Sequence, residues 1–441
     1  MLSLAMPIVV AEVGWMAMGI VDTIMVGHLP DSAAAIGAVS LGTILFYGVG
    51  LFGSGLSLGL DTLVSQAFGA GDLEDCHRSL LNALYFSLPV SAVLMAVLWG
   101  LVPALQHSGV NAAVMQETVP YLHALTWSMI PLLFYFALRR YLQSMNVVRP
   151  VTLVLISANL VNVAGNWALV YGHWGAPAMG IAGSAWATFF SRVYMAIVLL
   201  AVVADHDRRQ GTGLFAISWR PDPRRVARLV QLGFPAAAQI TLETAVFAVT
   251  AWLIGRLNPA SLAGHQIALN TVSLTFMVSL GISSAAAVRV GQALGRRDPP
   301  AAWRAGWTAL GLSVTFMGGS AIAFLLFSRR IASLYSSDPA VLDVGAALVT
   351  IAAFFQIFDG IQVVATGALR GAGDTRTAMF CHLVGYWFLG LPLGWALCFG
   401  LGWGARGLWI GLSTAIIAIG SALLALWRKH TRMAEFAEFS T

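Results

Sequence analysis

Five carboxylates stand within or at the end of long apolar runs of this chain: Glu12, Asp22, Asp61, Glu243 and Asp359. A carboxylate at the centre of a membrane-spanning helix costs about 2.5–3.5 kcal/mol on insertion scales, so each needs a reason to be there. Such a group can take up a proton, hold a metal cation or attract a cationic ligand. The runs contain no lysine, and Arg192 is the one arginine assigned to them, so a basic partner is not expected for any of the five. Glu243 and Asp359 lie deepest, the latter within IAAFFQIFDGIQVVATGAL, and for both a functional role outweighs idle burial. Asp22 opens DTIMVG near a helix end, where function competes with capping or snorkelling. Glu12 reads equally as a cavity-lining acid or as a neutral, hydrogen-bonded core acid. Asp61, in LDTLVSQAFGAGD, reads as structural.

The amides form a second group. Asn159, Asn162 and Asn166 recur in SANLVNVAGNW, and Asn162 and Asn166, four apart, share a helix face. They could hydrogen-bond a neighbouring acid without neutralising it, and contact between helices explains them equally well. His265 and Gln266, in GHQIALN, carry the same two readings. Gly371 and Gly373 in LRGAGDT are too few for a phosphate loop, and no Walker motif is present, so ATP drive is not expected. Cys76, Cys381 and Cys398 fall in no metal or redox spacing. The nine histidines are scattered and no nucleophile–base pair stands out, which argues against an enzyme.

The elements that must hold these groups follow from composition. Of 441 residues, 58% are hydrophobic and 10% charged, with a mean hydropathy of +0.80. That places most of the chain in hydrocarbon. Apolar windows fall at about 3–27, 35–60, 79–103, 118–138, 149–171 and 179–203, then at about 229–256, 262–288, 303–327, 341–368, 377–400 and 406–428. No cleavable signal peptide is expected. Counted with helix ends, the loops on one side hold nineteen Lys/Arg and those on the other hold four. The rule that basic loops stay inside puts both termini in the cytoplasm and makes the net charge of +5 a matter of topology, not of nucleic-acid binding.

The chain also repeats itself. Leu4–Leu29 and Leu232–Leu257 align without gaps, sharing Leu4/Leu232, Pro7/Pro235, Ala17/Ala245, Val21/Val249, Gly27/Gly255 and Leu29/Leu257. Further on, SQAFGAGD at Ser65–Asp72 matches GQALGRRD at Gly291–Asp298. The acids do not repeat: Asp22 faces Thr250 and Glu243 faces Trp15. The expected fold is therefore an all-α integral membrane protein of twelve transmembrane helices in two pseudo-symmetric six-helix lobes. Residues 1–203 form the first lobe, 204–228 a cytoplasmic linker, and 229–441 the second lobe with a short cytoplasmic tail. Related halves of this kind are the mark of a secondary transporter, with its substrate cavity expected between the lobes.

MPIVVAEVGWMAMGIVDTIMVGHL, GLDTLVSQAFGAGD, LGFPAAAQITLETAVF, GHQIALN, VRVGQALG and FDGIQVVATGALRGAGDT together resemble the multidrug and toxic compound extrusion (MATE) family, most closely its bacterial NorM branch. The resemblance runs over essentially the whole chain. It implies antiport of cationic, lipophilic compounds outward against inward sodium or protons, by a monomer in the inner membrane that uses no cofactor beyond the coupling ion. By position, Glu243 and Asp359 match the acids that coordinate the coupling cation, making sodium a candidate occupant there. Asp22 matches the first-helix acid whose protonation or cation binding bends that helix at Pro7 in some members, with Pro235 its repeat equivalent. Asn162, Asn166 and Thr188 fall where the supporting network of the first lobe is found. Two departures stand out. Phe355 occupies a position, four before Asp359, that is often Tyr in sodium-coupled relatives, and it lacks the hydroxyl. Glu12 is an acid the pattern does not include, which adds a candidate proton site.

Three other readings compete. A flippase for lipid-linked substrates on a related fold would want cavity arginines for phosphates, and the apolar runs offer almost none. A channel would want a filter-like repeat, and an intramembrane enzyme a clustered site. A major-facilitator transporter shares the six-plus-six layout, but FGAGDLEDCHRSL lacks that superfamily's basic signature.

Overall fold

The computed structural model of the chain describes residues 1–29, 32–106 and 112–438, without side chains at 32–34, 106, 112–113 and 432–438. The last residues of the expected tail, 439–441, lie outside the described residues. The first half runs through α1 (Leu2–Val26), α2 (Ser32–Leu56), α3 (Gly59–Ala70), α4 (Leu73–Gln106), α5 (Ala112–Trp127), α6 (Met129–Ser144), α7 (Arg149–Tyr171) and α8 (Ile181–Gln210). The second half has α9 (Pro223–Gly255), α10 (Pro259–Gly295), α11 (Pro299–Ser333), α12 (Pro339–Ala372), α13 (Thr375–His382), α14 (Leu391–Trp395) and α15 (Gly404–Glu438). Wider π-helical turns at Leu383–Gly390 and Ala396–Gly400 flank α14, so 375–400 forms one span. No strand occurs among the described residues.

Among the described residues, eleven helices are long and apolar enough to cross a bilayer, and twelve if α5 and α6, bent by 43° at Ser128, count as one broken span. The chain is a multi-pass membrane protein. Its surface suits that solvent: Leu160, Leu326 and Phe388 are exposed, whereas Arg139, Asn166 and Gln362 are buried.

The helices form two compact units, Val10–Ala237 and Met1–Val9 with Ala238–Thr441. The breaks fall inside α1 and α9, and the linker 204–228 lies wholly within the first unit. Val9 and Ala237, the last residues before each break, are 228 positions apart, the offset of the sequence repeat. Pro7 and Pro235 each stand two residues before a break. Proline removes a backbone donor and clashes with the preceding turn, so both helices are locally weakened where they pass from one unit to the other.

Each exchanged stretch has a glycine seat. In the second unit a methyl group at Gly281 would stand 2.9 Å from the Cα of Val9; in the first, one at Gly55 would overlap the backbone of Ala237. Elsewhere in the second unit, Gly367 and Gly371 of α12 meet the backbone at Ser283 and Ala287 of α10 with no room for a side chain. Small residues four apart on both helices bring the backbones together, and Ser283 Oγ donates to the Val363 carbonyl at 2.7 Å. This seam fixes the face of α12 that carries Asp359 and Gln362.

Candidate functional site

The first unit gathers Asp22 from α1, Asn162 and Asn166 from α7, and Thr188 from α8. All four are buried. Asn166 Nδ2 donates to Asp22 Oδ1 at 2.8 Å, and Thr188 Oγ1 donates to Asp22 Oδ2 at 2.8 Å. Asn162 Nδ2 lies 3.4 Å from the Thr188 hydroxyl, and its own carbonyl groups face the Asn166 amide. Both oxygens of the acid are thus held by neutral donors. Asn166 Oδ1 is buried without a partner. Arg192, one turn beyond Thr188, donates to Ser128 Oγ and lies 4.6 Å from the centre of the Phe46 ring.

The second unit gathers Glu243 from α9, Asp359 and Gln362 from α12, and His382 and Tyr386 from the span at 375–400. Gln362 Nε2 is the hub, 3.1 Å from Asp359 Oδ1, 2.9 Å from the Tyr386 hydroxyl and 3.4 Å from Glu243 Oε1. Two amide hydrogens face three acceptors, so the arrangement can hold only two of these bonds at once. Tyr386 in turn donates to Glu243 Oε1 at 3.4 Å. His382 Nδ1 donates to the Ala378 carbonyl at 2.8 Å, leaving Nε2 to face Gln239 at 3.4 Å and Glu243 Oε2 at 3.9 Å. Tyr386 sits in the π-helical stretch, a local widening that recurs at functional sites.

Asp359 Oδ2 and Gln362 Oε1 are buried with no partner. Two unused oxygens beside a second carboxylate are what an arriving cation would require. Among the described residues no three His, Cys, Asp or Glu side chains converge as a metal-binding group. A bound cation would therefore complete its oxygen ligands from Gln362, Tyr386 or water.

Glu12 lies elsewhere and has a different nature. Arg139 of α6 donates to its Oε1, and both side chains are buried. Arg140, next in sequence, lies 3.6 Å from Asp61. This corrects the expectation that no basic residue but Arg192 is available within the spans. The apolar window ends at 138, yet α6 continues to Ser144 and carries both arginines inward. Glu12 thus has a buried basic partner in Arg139. Arg370, at the end of α12, is buried like Arg139 and Arg140.

Two other expected residues make contacts of their own. Gln266 is exposed and pairs with Asn270 at 3.3 Å. Phe355 is buried, its ring centre 6.3 Å from that of Trp409, which donates to His265 Nδ1 at 3.0 Å. Gln239, Gln362, His382 and Tyr386 were not singled out by sequence. Their spacing held a signal, for Gln362 follows Asp359 by three and Tyr386 follows His382 by four.

The MatE family model matches twice, at residues 7–168 and 235–396, again 228 apart. Over 440 residues the chain is 34% identical to the probable multidrug resistance protein NorM of Mesorhizobium japonicum, covering 98% of this chain and 94% of that protein. It is likewise 34% identical over 449 residues to the multidrug resistance protein NorM of Vibrio cholerae, covering 97% and 95%. Among solved structures, the eukaryotic MATE transporter AtDTX14 superposes with a TM-score of 0.87 at 23% identity, covering 98% and 97% of the two chains. That last likeness is one of fold.

Proposed function

The chain belongs to the MatE family, and on that premise we propose that it is a secondary multidrug efflux antiporter. It exports cationic, lipophilic drug-like compounds in exchange for sodium or protons. It acts as a monomer in the bacterial inner membrane, with both termini in the cytoplasm. It is not an enzyme. The observation that carries the coupling role is the buried, partnerless Asp359 Oδ2 beside Gln362 and Glu243.

The coupling cation enters from outside, down its gradient, and neutralises or occupies Glu243 with Asp359, and Asp22. Each acid then attracts a cationic drug less, and the drug leaves outward. The transporter reorients with the ion, which is lost inside. One elementary charge moved through 100 mV supplies about 2.3 kcal/mol, enough for roughly a fiftyfold gradient. Phe355 supplies no hydroxyl, so a sodium ion would depend on Gln362 and Tyr386 for neutral oxygens. A lipid-phosphate flippase is not favoured, because buried Arg139 and Arg140 face Glu12 and Asp61.

Vesicles containing the purified protein and loaded with an ethidium-like dye test this reading. An imposed sodium or proton gradient should drive dye transport, and the effective gradient names the ion. Transport indifferent to both gradients would refute it.

A further inference from the structure

The linker 204–228 is bound along α4. His77 Nε2 donates to the Thr212 carbonyl at 3.0 Å, while the Tyr141 hydroxyl holds the other ring nitrogen at 2.7 Å. The Asp222 amide donates to Asn82 Oδ1 at 2.7 Å, and the Tyr85 hydroxyl donates to the Trp219 carbonyl at 2.8 Å. Tyr85 is well inside α4, which ends at Gln106. The helix beyond Tyr85 runs about 31 Å at 1.5 Å per residue, close to the ~30 Å of a hydrocarbon core. If the far end of α4 reaches the opposite interface, that length puts Tyr85, and Trp219 bonded to it, near the boundary between hydrocarbon and headgroups.

Side chains around this point are sorted for such a boundary. Phe215 and Trp219 stack with ring centres 6.3 Å apart and are 55% and 50% exposed. Aromatic rings of this kind favour the membrane interface. Ser218 and Arg220 instead line a cavity of about 270 Å³, shared with Arg78, Asn82 and Asp222. The nearby acids already have partners. Asp222 accepts from the Arg224 amide at 2.9 Å and lies 3.4 Å from Arg225, which also pairs with Asp75; Glu74 lies 2.6 Å from Arg78. Arg220 makes no ion pair among the described residues, and Arg78 Nε is buried without a partner.

The geometry points to this cavity as a binding site for the phosphodiester headgroup of an anionic phospholipid, with Phe215 and Trp219 set among its acyl chains. Guanidinium groups match phosphate oxygens in charge and donor geometry, and stacked rings beside them match the start of the acyl chain. The site ties the linker to the bilayer, and its occupancy does not depend on which ion drives transport.

The test uses the full chain in phosphatidylcholine vesicles containing phosphatidylglycerol, with the acyl chains of one lipid or the other brominated. The fluorescence of Trp219 is isolated as the difference from Trp219→Phe. Brominated phosphatidylglycerol should quench it more than brominated phosphatidylcholine at equal mole fraction. Arg220→Ala should weaken phosphatidylglycerol association about fivefold, as the loss of one interfacial arginine predicts. Equal quenching by the two lipids, or a preference unchanged in Arg220→Ala, would overturn the proposal. So would loss of the preference on adding inorganic phosphate at matched ionic strength, which would make the ligand a free phosphate.

Discussion

Gln362 holds Asp359 from three residues away on the same helix, its amide 3.1 Å from Oδ1, and leaves the other carboxylate oxygen buried and unpaired. One neutral side chain thereby organises an acid from α12, an acid from α9 and the hydroxyl of Tyr386 without supplying a charge. A hub of this kind can let a cation come and go. A lysine or arginine in its place would occupy the site permanently.

Replacing the hub by an apolar residue of similar size should be costly to transport. In Gln362→Leu, the acids and Tyr386 lose a buried partner, at about 1–3 kcal/mol for groups left unsatisfied. Coupled dye export should fall by about tenfold or more, with helical content by circular dichroism unchanged. Wild-type export in this variant would remove Gln362 from the site.

The Glu12–Arg139 pair should behave as structure and not as coupling. Arg139→Met alone leaves a buried carboxylate without its counter-charge, a loss of about 3–5 kcal/mol. Adding Glu12→Leu should restore most of the lost thermal stability in detergent, because an apolar pair can replace a buried ion pair. If the double variant is no more stable than Arg139→Met, the two residues are not energetically linked.

These cases mark how far the sequence could be read. The acids were legible because hydrocarbon makes each of them expensive, and the repeat was legible because Pro7 and Pro235 recur at one spacing. Arg139 was misplaced because apolar windows find the end of hydrophobicity, whereas α6 runs on past it to Ser144. Its partner is 127 residues away, which no local pattern can report. Gln362 and Tyr386 passed unnoticed because what distinguishes them is contact with Glu243, 119 and 143 residues away in the chain. The unit boundary was hidden for a further reason: α1 and α9 are continuous helices, and only tertiary contacts divide them.

The glycine seats should be equivalent. Gly55→Val presses on Ala237 and Gly281→Val presses on Val9, in both cases against backbone that cannot rotate away. Overpacking of this kind costs about 1–3 kcal/mol, so each variant should lower thermal stability by a similar amount. A marked loss in one with none in the other would break the symmetry of the two crossings.

Asp22→Asn tests the first unit. The amide retains an oxygen to accept from Thr188 or Asn166, so the protein should remain folded, while the charge that a cation would meet is gone. Export of a cationic dye should drop at least about tenfold with the thermal transition little changed. Unfolding of this variant would instead assign Asp22 a purely structural task.

In the proposed mechanism Glu243 and Asp359 carry the coupling ion. Its most direct test is gradient-driven dye export by vesicles containing Asp359→Asn or Glu243→Gln, each confirmed as folded. Both should lose export while keeping the wild-type thermal transition. Undiminished gradient-driven export in both variants would contradict the account.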